Sequence, residues 1–251
     1  MPFDLASVRA RLPDRRIDWF PSVTSTMILA ARAARDGCAS GTVIGADGQV
    51  AGIGRHGHGW HSEAEAGLYV SIVLRVPVEA SVLPVVMLAL GVATQEAISE
   101  VSGLAADIRW PNDVMINGKK AAGILAQLEG AAVVAGIGIN VNHTMFPAEV
   151  APLATSLFLE GKRGISREDL LVALLHAVDD SMKILVEQGS PAILDMFTRA
   201  SSYAQGRRVR VEQNGAIIEG TTCGLDSSGF LVVREDDGKE TTILAGGVRP
   251  V

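Results

Sequence analysis

The sequence predicts an α+β protein of two unequal parts, on three observations. Three long segments carry apolar residues at helical spacing. Between and around them lie β-branched runs separated by Asn-Gly and Glu-Gly. From about Gly206 the texture changes to short alternating strands meeting at glycine turns, the pattern of a small β-barrel. A chain of 251 residues, 48% hydrophobic and 20% charged, can bury a full core in the larger part. The division falls between Ser202 and Gly206, giving a domain of residues 1–204 and a barrel of residues 205–251.

The elements follow in order. Residues 25 to 36 start with Ser25 and Thr26 as capping candidates, continue through good helix formers and stop at Gly37, so they predict the first helix. Gly41–Gln49 and Gly67–Arg75 read as strands on either side of a glycine-rich loop. Pro84–Gly103 places Val85, Leu88, Val92, Ile98 and Val101 on one helical face and predicts a buried amphipathic helix. The period then changes: "DIRWPNDVMING", "KKAAGILAQLEG" and "AAVVAGIGINVN" are consecutive antiparallel strands. A second long helix opens on Ser166 and its acidic neighbours, and "PAILDMFTRAS" predicts a third. In the barrel the turns fall at Asn214-Gly215, Ser228-Gly229 and Asp237-Gly238.

Composition excludes several function classes. Twenty-two Lys and Arg against 28 Asp and Glu give a formal net charge of −6, so the chain as a whole does not attract a polyanion. The residues ahead of the first predicted helix leave no room for a helix-turn-helix, and no DNA partner is expected. The longest apolar stretch, from Val82, is interrupted by Pro84 and falls short of the roughly 20 residues a bilayer requires, so no membrane span is expected. With two cysteines far apart, Cys38 and Cys223, and no secretory signal, the expected compartment is the cytoplasm.

Two motifs carry chemistry. Gly52-Ile53-Gly54-Arg55-His56-Gly57 satisfies the G-x-G-x-x-G pattern of a dinucleotide-binding turn, but a strand, not a helix, follows it, so that reading fails. Trp110-Pro111-Asn112-Asp113 is unusual in a strand, because proline removes a ladder donor and Asn and Asp compete for backbone hydrogen bonds. The turn at Asn117-Gly118 brings Asp113 near Lys120 on the adjacent strand, either as part of a site or as a surface ion pair.

Six stretches in order complete the picture: Ser25-Thr26; Gln49 with the glycine loop and Trp60; Trp110 to Asp113; Lys120-x-x-Gly123-Ile124-Leu125; Gly136-x-Gly138-Ile139-Asn140; and Ala154-Thr155-Ser156-Leu157. Together they resemble the biotin protein ligases, from about residue 17 to the end. The resemblance implies a central mixed β-sheet flanked by helices, an SH3-like carboxy-terminal barrel, and two reactions. Biotin and ATP, with Mg²⁺, give biotinyl-5′-AMP and pyrophosphate; a lysine of a biotin carboxyl carrier protein then takes the biotinyl group.

The resemblance also implies roles. Joining a carboxylate to a phosphate brings two anions together, so the site needs cations and protection from water. Lys120 would bridge the biotin carboxylate and the α-phosphate. Arg55 would close over the adenylate, with Gly52, Gly54 and Gly57 allowing close backbone approach. Ser25, Thr26 and Gln49 would bind neutral polar groups of biotin, with Gly52 and Gly123 beside them, although Ser25 and Thr26 equally suit helix caps. Trp60 and Trp110 would wall the pocket or simply pack in the core. Asn112 and Asn140 would contact nucleotide or magnesium. Asp113 would orient the incoming lysine or hold metal-bound phosphate, or else make a structural hydrogen bond.

This chain departs from the family where arginine is common, carrying Ile53 and His58. A metal site on His56, His58 and His61 is disfavoured, since no cysteine lies near and a loop is a poor ligand cage. The alternatives to a biotin ligase are a lipoate or octanoate ligase and a non-catalytic biotin-binding module. An exposed sheet edge would serve either a homodimer or carrier docking.

Overall fold

A computed structural model of the chain describes residues 2–77, 79–213 and 215–251, with the side chain of His56 outside that description. In chain order the larger part runs α1 (Leu5–Arg11), β1 (Ile17–Phe20), α2 (Thr26–Arg35), β2 (Thr42–Ala46), the two-residue strands β3 (Gly52–Ile53) and β4 (Gly59–Trp60), and β5 (Gly67–Leu74). It continues with α3 (Leu83–Ser102), β6 (Asp107–Arg109), β7 (Asp113–Ile116), β8 (Lys119–Glu129), β9 (Ala132–Asn140), α4 (Leu157–Gly161), α5 (Arg167–Gln188) and α6 (Ser190–Ala200).

Local chemistry accounts for most boundaries. Ser166 caps α5 by accepting from the Asp169 N–H at 3.0 Å, and α3 ends on Gly103 at φ +72°, a left-handed position that favours glycine. Asn117 and Gly118, both at positive φ, make the tight turn between β7 and β8.

Seven strands form one mixed sheet in the order β1-β2-β5-β9-β8-β7-β6; β1 lies parallel to β2 and the other pairs are antiparallel. Strand alternation sends Leu68, Val70, Ile72, Ile124, Ile137 and Ile139 into the core shared with α3, α5 and α6. The opposite face is covered over only part of its width, where Met27, Ala30 and Ala34 of α2 pack on Ile44, Val73 and Val134. Beside α2 that face stays open over the middle of β8 and β9.

The helical stretch Ala80–Ser102 has the length and hydropathy of a membrane span, beyond what the apolar run from Val82 suggested. Of its most apolar 18-residue window, 61% is buried inside the protein, as befits a core helix under a sheet.

The smaller part consists of β10 (Gln205–Gln213), β11 (Ala216–Leu225), β12 (Leu231–Glu235), β13 (Glu240–Ile243) and β14 (Val248–Pro250), an antiparallel SH3-like arrangement in the order β13-β12-β11-β10-β14. Val209, Val211, Leu231, Val233, Ile243 and Val248 fill it. Of the three predicted turns, Gly229 and Gly238 take positive φ as expected, and Asn214 lies outside the described residues. Gly229 is also where the two parts meet: a Cβ there would stand 3.0 Å from Leu88 Cδ1, and the carbonyl accepts from Trp110 Nε1 at 3.0 Å.

Two elements precede the helix expected to be first. Helix α1 is capped by Asp4, whose Oδ1 accepts from the Ser7 N–H, and β1 adds a parallel edge strand; α4, capped by Ser156, was likewise unforeseen.

Candidate functional site

The amino terminus of α2 faces the open part of the sheet. Ser25 is its N-cap by position, yet its side chain makes no capping hydrogen bond, and its buried Oγ has no partner among the described residues. Gln49 satisfies the helix end instead: its Oε1 accepts from the Thr26 N–H at 2.9 Å and from Thr26 Oγ1 at 3.1 Å. Ser71 Oγ donates to Thr26 Oγ1, Gln49 Nε2 donates to Ser62 Oγ, and Ser62 Oγ donates to the Trp60 carbonyl. The result is a connected set of uncharged donors and acceptors.

The floor is made by missing side chains. Gly136 and Gly138 alternate along β9 on the open face, and Gly123 of β8 sits opposite Gly138. A Cβ on Gly136 would lie 2.5 Å from Met27 Sδ; on Gly138, 2.5 Å from Trp60 Nε1; on Gly123, 2.8 Å from the Trp60 ring and 3.0 Å from Lys120 Cε. Glycine is what lets Met27, Trp60 and Lys120 settle against the sheet. Trp60 is delivered by the β3–β4 pair, in which Gly52 stands opposite it; a Cβ on Gly52 would meet the Trp60 carbonyl at 2.5 Å. Between the strands, Arg55–Gly57 form a tight turn that needs the positive φ of Gly57. The cavity enclosed measures ≈ 430 Å³ with its open side, and Thr26, Gln49, Arg55, Trp60, Asn112 and Lys120 are among its lining.

Two cations converge on it. Lys120 Nζ lies 2.5 Å from Asp113 Oδ1 and 5.3 Å from the centre of the Trp60 ring. Arg55 Nη1 donates to Asn112 Oδ1 at 2.9 Å, while Asn112 Nδ2 donates to the Ile124 carbonyl, fixing the amide between loop and sheet. Burial lowers the Arg55 pKa, partly opposed by Asp113, but a guanidinium stays protonated near neutral pH. Burial alone would raise the Asp113 carboxyl. Lys120 and Arg109, whose Nη2 sits 2.6 Å from Oδ2, outweigh that effect and hold it below the ordinary range, so Asp113 is an anion between two cations. The ion pair expected from the turn at Asn117 is thus present, and it lies at the edge of the cavity, not out on the surface.

Three expectations fare differently. Trp110 is not on the cavity: it is 3% exposed, belongs to the core on the other face, and spends its N–H on Gly229. Proline and asparagine after it break the strand alternation, so its face could not be counted from sequence. Asn140 is buried and donates to the Thr155 carbonyl at 3.0 Å, tying β9 to the segment that also pairs with Lys120; it does not line the cavity. Asp113 does not fit as a magnesium ligand, because both its oxygens already hold a cation.

The strand alternation of "GIGIN" was the available signal for Gly136 and Gly138 as a floor. Ser62, Ser71, Met27 and Arg109 carried no such signal, since each reaches the site only through tertiary pairing.

Comparison with known proteins matches this chain at residues 19–143 to the biotin/lipoate A/B protein ligase family and at residues 205–248 to the biotin protein ligase C terminal domain. It is 34% identical to the biotin--[acetyl-CoA-carboxylase] ligase of Mycobacterium tuberculosis, over 98% of this chain and 94% of that one. It is 32% identical to the bifunctional ligase/repressor BirA of Bacillus subtilis, over 86% of this chain and 68% of that protein. The fold is similar to the biotin protein ligase from Aquifex aeolicus solved in complex with biotin and ATP, with TM-score 0.84, 29% identity, and coverage of 94% and 99% of the two chains.

Proposed function

This chain belongs to the biotin/lipoate A/B protein ligase family, and from that premise we infer that it is a biotin protein ligase, joining biotin to ATP as biotinyl-5′-AMP and passing the biotinyl group to a lysine of a carrier protein. The observation that carries the assignment is a glycine-floored cavity with uncharged hydrogen-bonding groups at α2 and two cations beyond the floor. That polarity matches a ligand with a neutral ureido ring at one end and a carboxylate at the other.

The roles follow from charge. Thr26 and Gln49, supported by Ser62 and Ser71, bind the ring; Gly123, Gly136 and Gly138 let the ligand approach the sheet. Ser25, whose buried Oγ caps nothing and has no partner among the described residues, is left to bind the ring as well. Lys120 binds the carboxylate and the α-phosphate together, offsetting the repulsion between two anions as they join. Asp113 is a positioning residue: with Arg109 it fixes where the Lys120 ammonium stands. Arg55 and Asn112 face the adenylate, and Gly52, Gly54 and Gly57 let the loop close on it. Trp60 excludes water from the mixed anhydride.

In the second step the carrier lysine amine attacks the biotinyl carbonyl, an amide forms, and the acyl–phosphate bond breaks with AMP leaving. Magnesium enters with the triphosphate, and no residue of this chain is assigned to hold it. Residues 1–204 are the catalytic unit and 205–251 the barrel. The carrier is the partner in this reading, with no DNA or membrane partner. An unpaired sheet edge, β1 or β6, serves carrier docking or a homodimer. Unpaired Cys38 and Cys223 agree with the cytoplasm.

ATP–pyrophosphate exchange without carrier, run with biotin, lipoate or octanoate in turn, tests the acid. Exchange with biotin alone is expected. Exchange with lipoate or octanoate instead would overturn the substrate, and exchange with none would favour a binding module.

A further inference from the structure

Behind Trp60 the chain continues through His61, Ser62 and Glu63 and crosses the loop that follows β9, where His143 and Phe146 sit. One ligand atom each from His61, Glu63 and His143 can be chosen so that all lie within 4.8 Å of one another. His61 and Glu63 are exposed, whereas His143 is 0% exposed. Its ring is held from two sides, stacked on Phe146 at 5.0 Å and 3.2 Å from the Tyr69 hydroxyl through Nε2.

The hydrogen bonds determine which imidazole nitrogen carries the proton. Tyr69 donates its O–H to the Glu63 carbonyl at 3.0 Å, so its oxygen is left to accept the Nε2–H of His143. Nδ1 then carries the lone pair, and it is buried with no partner among the described residues. An oriented, fully buried imidazole whose Nδ1 has no hydrogen-bond partner among the described residues is poorly satisfied as a core residue and well prepared as a ligand.

We propose that His61, Glu63 and His143 form a site for a transition-metal dication of the zinc class, which clamps the segment behind Trp60 to the loop after β9. Two imidazoles and one carboxylate are a ligand set zinc accepts, leaving a fourth position for water, and imidazole donors select against Mg²⁺ and Ca²⁺. Ligand atoms around tetrahedral zinc stand about 3.4 Å apart at bond lengths near 2 Å, so the exposed side chains of His61 and Glu63 close the last ångström or so. The Tyr69 hydroxyl is the outer partner that holds the His143 ring and tautomer, as hydrogen bonds behind metal-bound histidines do. The site differs from the histidine triplet of the loop sequence: His61 takes part, His58 does not, and the buried ligand, His143, comes from the loop after β9.

The test is equilibrium dialysis of the full chain, stripped with chelator, against Zn²⁺, with Co²⁺ absorption reporting coordination geometry. One equivalent per chain is expected, with the visible spectrum of a tetrahedral cobalt site. His61→Ala and Glu63→Gln change exposed side chains that folding does not require, and each is expected to weaken Zn²⁺ binding at least tenfold, on the order of the losses seen for metal-site partners. His176→Ala, an exposed histidine on α5, is expected to leave binding unchanged. Less than one equivalent, or an affinity indifferent to both His61→Ala and Glu63→Gln, would overturn the proposal. Neither result bears on pyrophosphate exchange, so this site and the ligase reading fail separately.

Discussion

Replacing Lys120 with alanine separates catalysis from folding. The ammonium sits 2.5 Å from Asp113 Oδ1, with side chains 29% and 15% exposed, so the pair is partly desolvated. Asp113 keeps Arg109 at 2.6 Å when Lys120 is removed, and no orphaned anion results. The stability cost should therefore be about 1–2 kcal/mol, between the values for surface pairs and for a broken buried pair. For a chain of this size that lowers Tm by roughly 2–8 °C. The loss in activation is larger in kinetic terms: one charge-assisted contact to the joining anions is worth about 1.5–3 kcal/mol, or roughly 10- to 150-fold in rate. Pyrophosphate exchange at saturating biotin and ATP measures the second quantity and thermal unfolding the first. Exchange within about threefold of wild type, from a protein with the expected Tm, would refute the placement of Lys120 at the reacting carboxylate.

Other consequences can be checked alongside. Gly138→Ala puts a methyl 2.5 Å from Trp60 Nε1, so the indole must leave the floor; biotin KM should rise at least about tenfold while Tm moves little, because alanine suits a strand better than glycine by about 0.5–1 kcal/mol. An unchanged KM would mean that the floor does not carry ligand. Trp110→Phe removes the donor to Gly229 and leaves a buried carbonyl unpaired, costing about 1–2 kcal/mol in urea unfolding with exchange intact; lost exchange at unchanged stability would return Trp110 to the site. Glu160 is held below its usual pKa: burial opposes this, but hydrogen bonds from Thr155 and Asn117 prevail. Its stabilising effect is therefore present above the unfolded pKa near 4.5 and lost as pH falls through the folded value. Glu160→Gln should thus be less stable than wild type at pH 7 and converge with it in acid; a gap that persists at pH 3 would contradict that origin.

What the sequence disclosed tracks the range of the forces involved. α3 and α5 were legible because capping residues and a long apolar period are local signals, and the β7–β8–β9 meander because Asn-Gly and Glu-Gly turns fix antiparallel neighbours. α1 has seven residues and β1 four; the first is held by Val8 in the core and by Arg11 on Asp169, the second by a parallel partner 26 positions on. No local pattern announces such pairings. At the site, the glycine loop, Lys120, Asp113 and Gln49 were visible as residue types suited to anions and neutral polar groups. That Gln49 rather than Ser25 satisfies α2, and that Arg109 shares Asp113 with Lys120, depends on side-chain geometry set only once the sheet is assembled.

The central claim is that this chain attaches biotin to a carrier lysine through an adenylate. Its most direct test is the intact mass of a biotin carboxyl carrier domain incubated with the purified protein, biotin and ATP. The account predicts one biotinyl group per carrier, on a single lysine, dependent on ATP and strongly slowed by Lys120→Ala. A carrier that stays unmodified, while the protein still exchanges pyrophosphate with biotin, would contradict it.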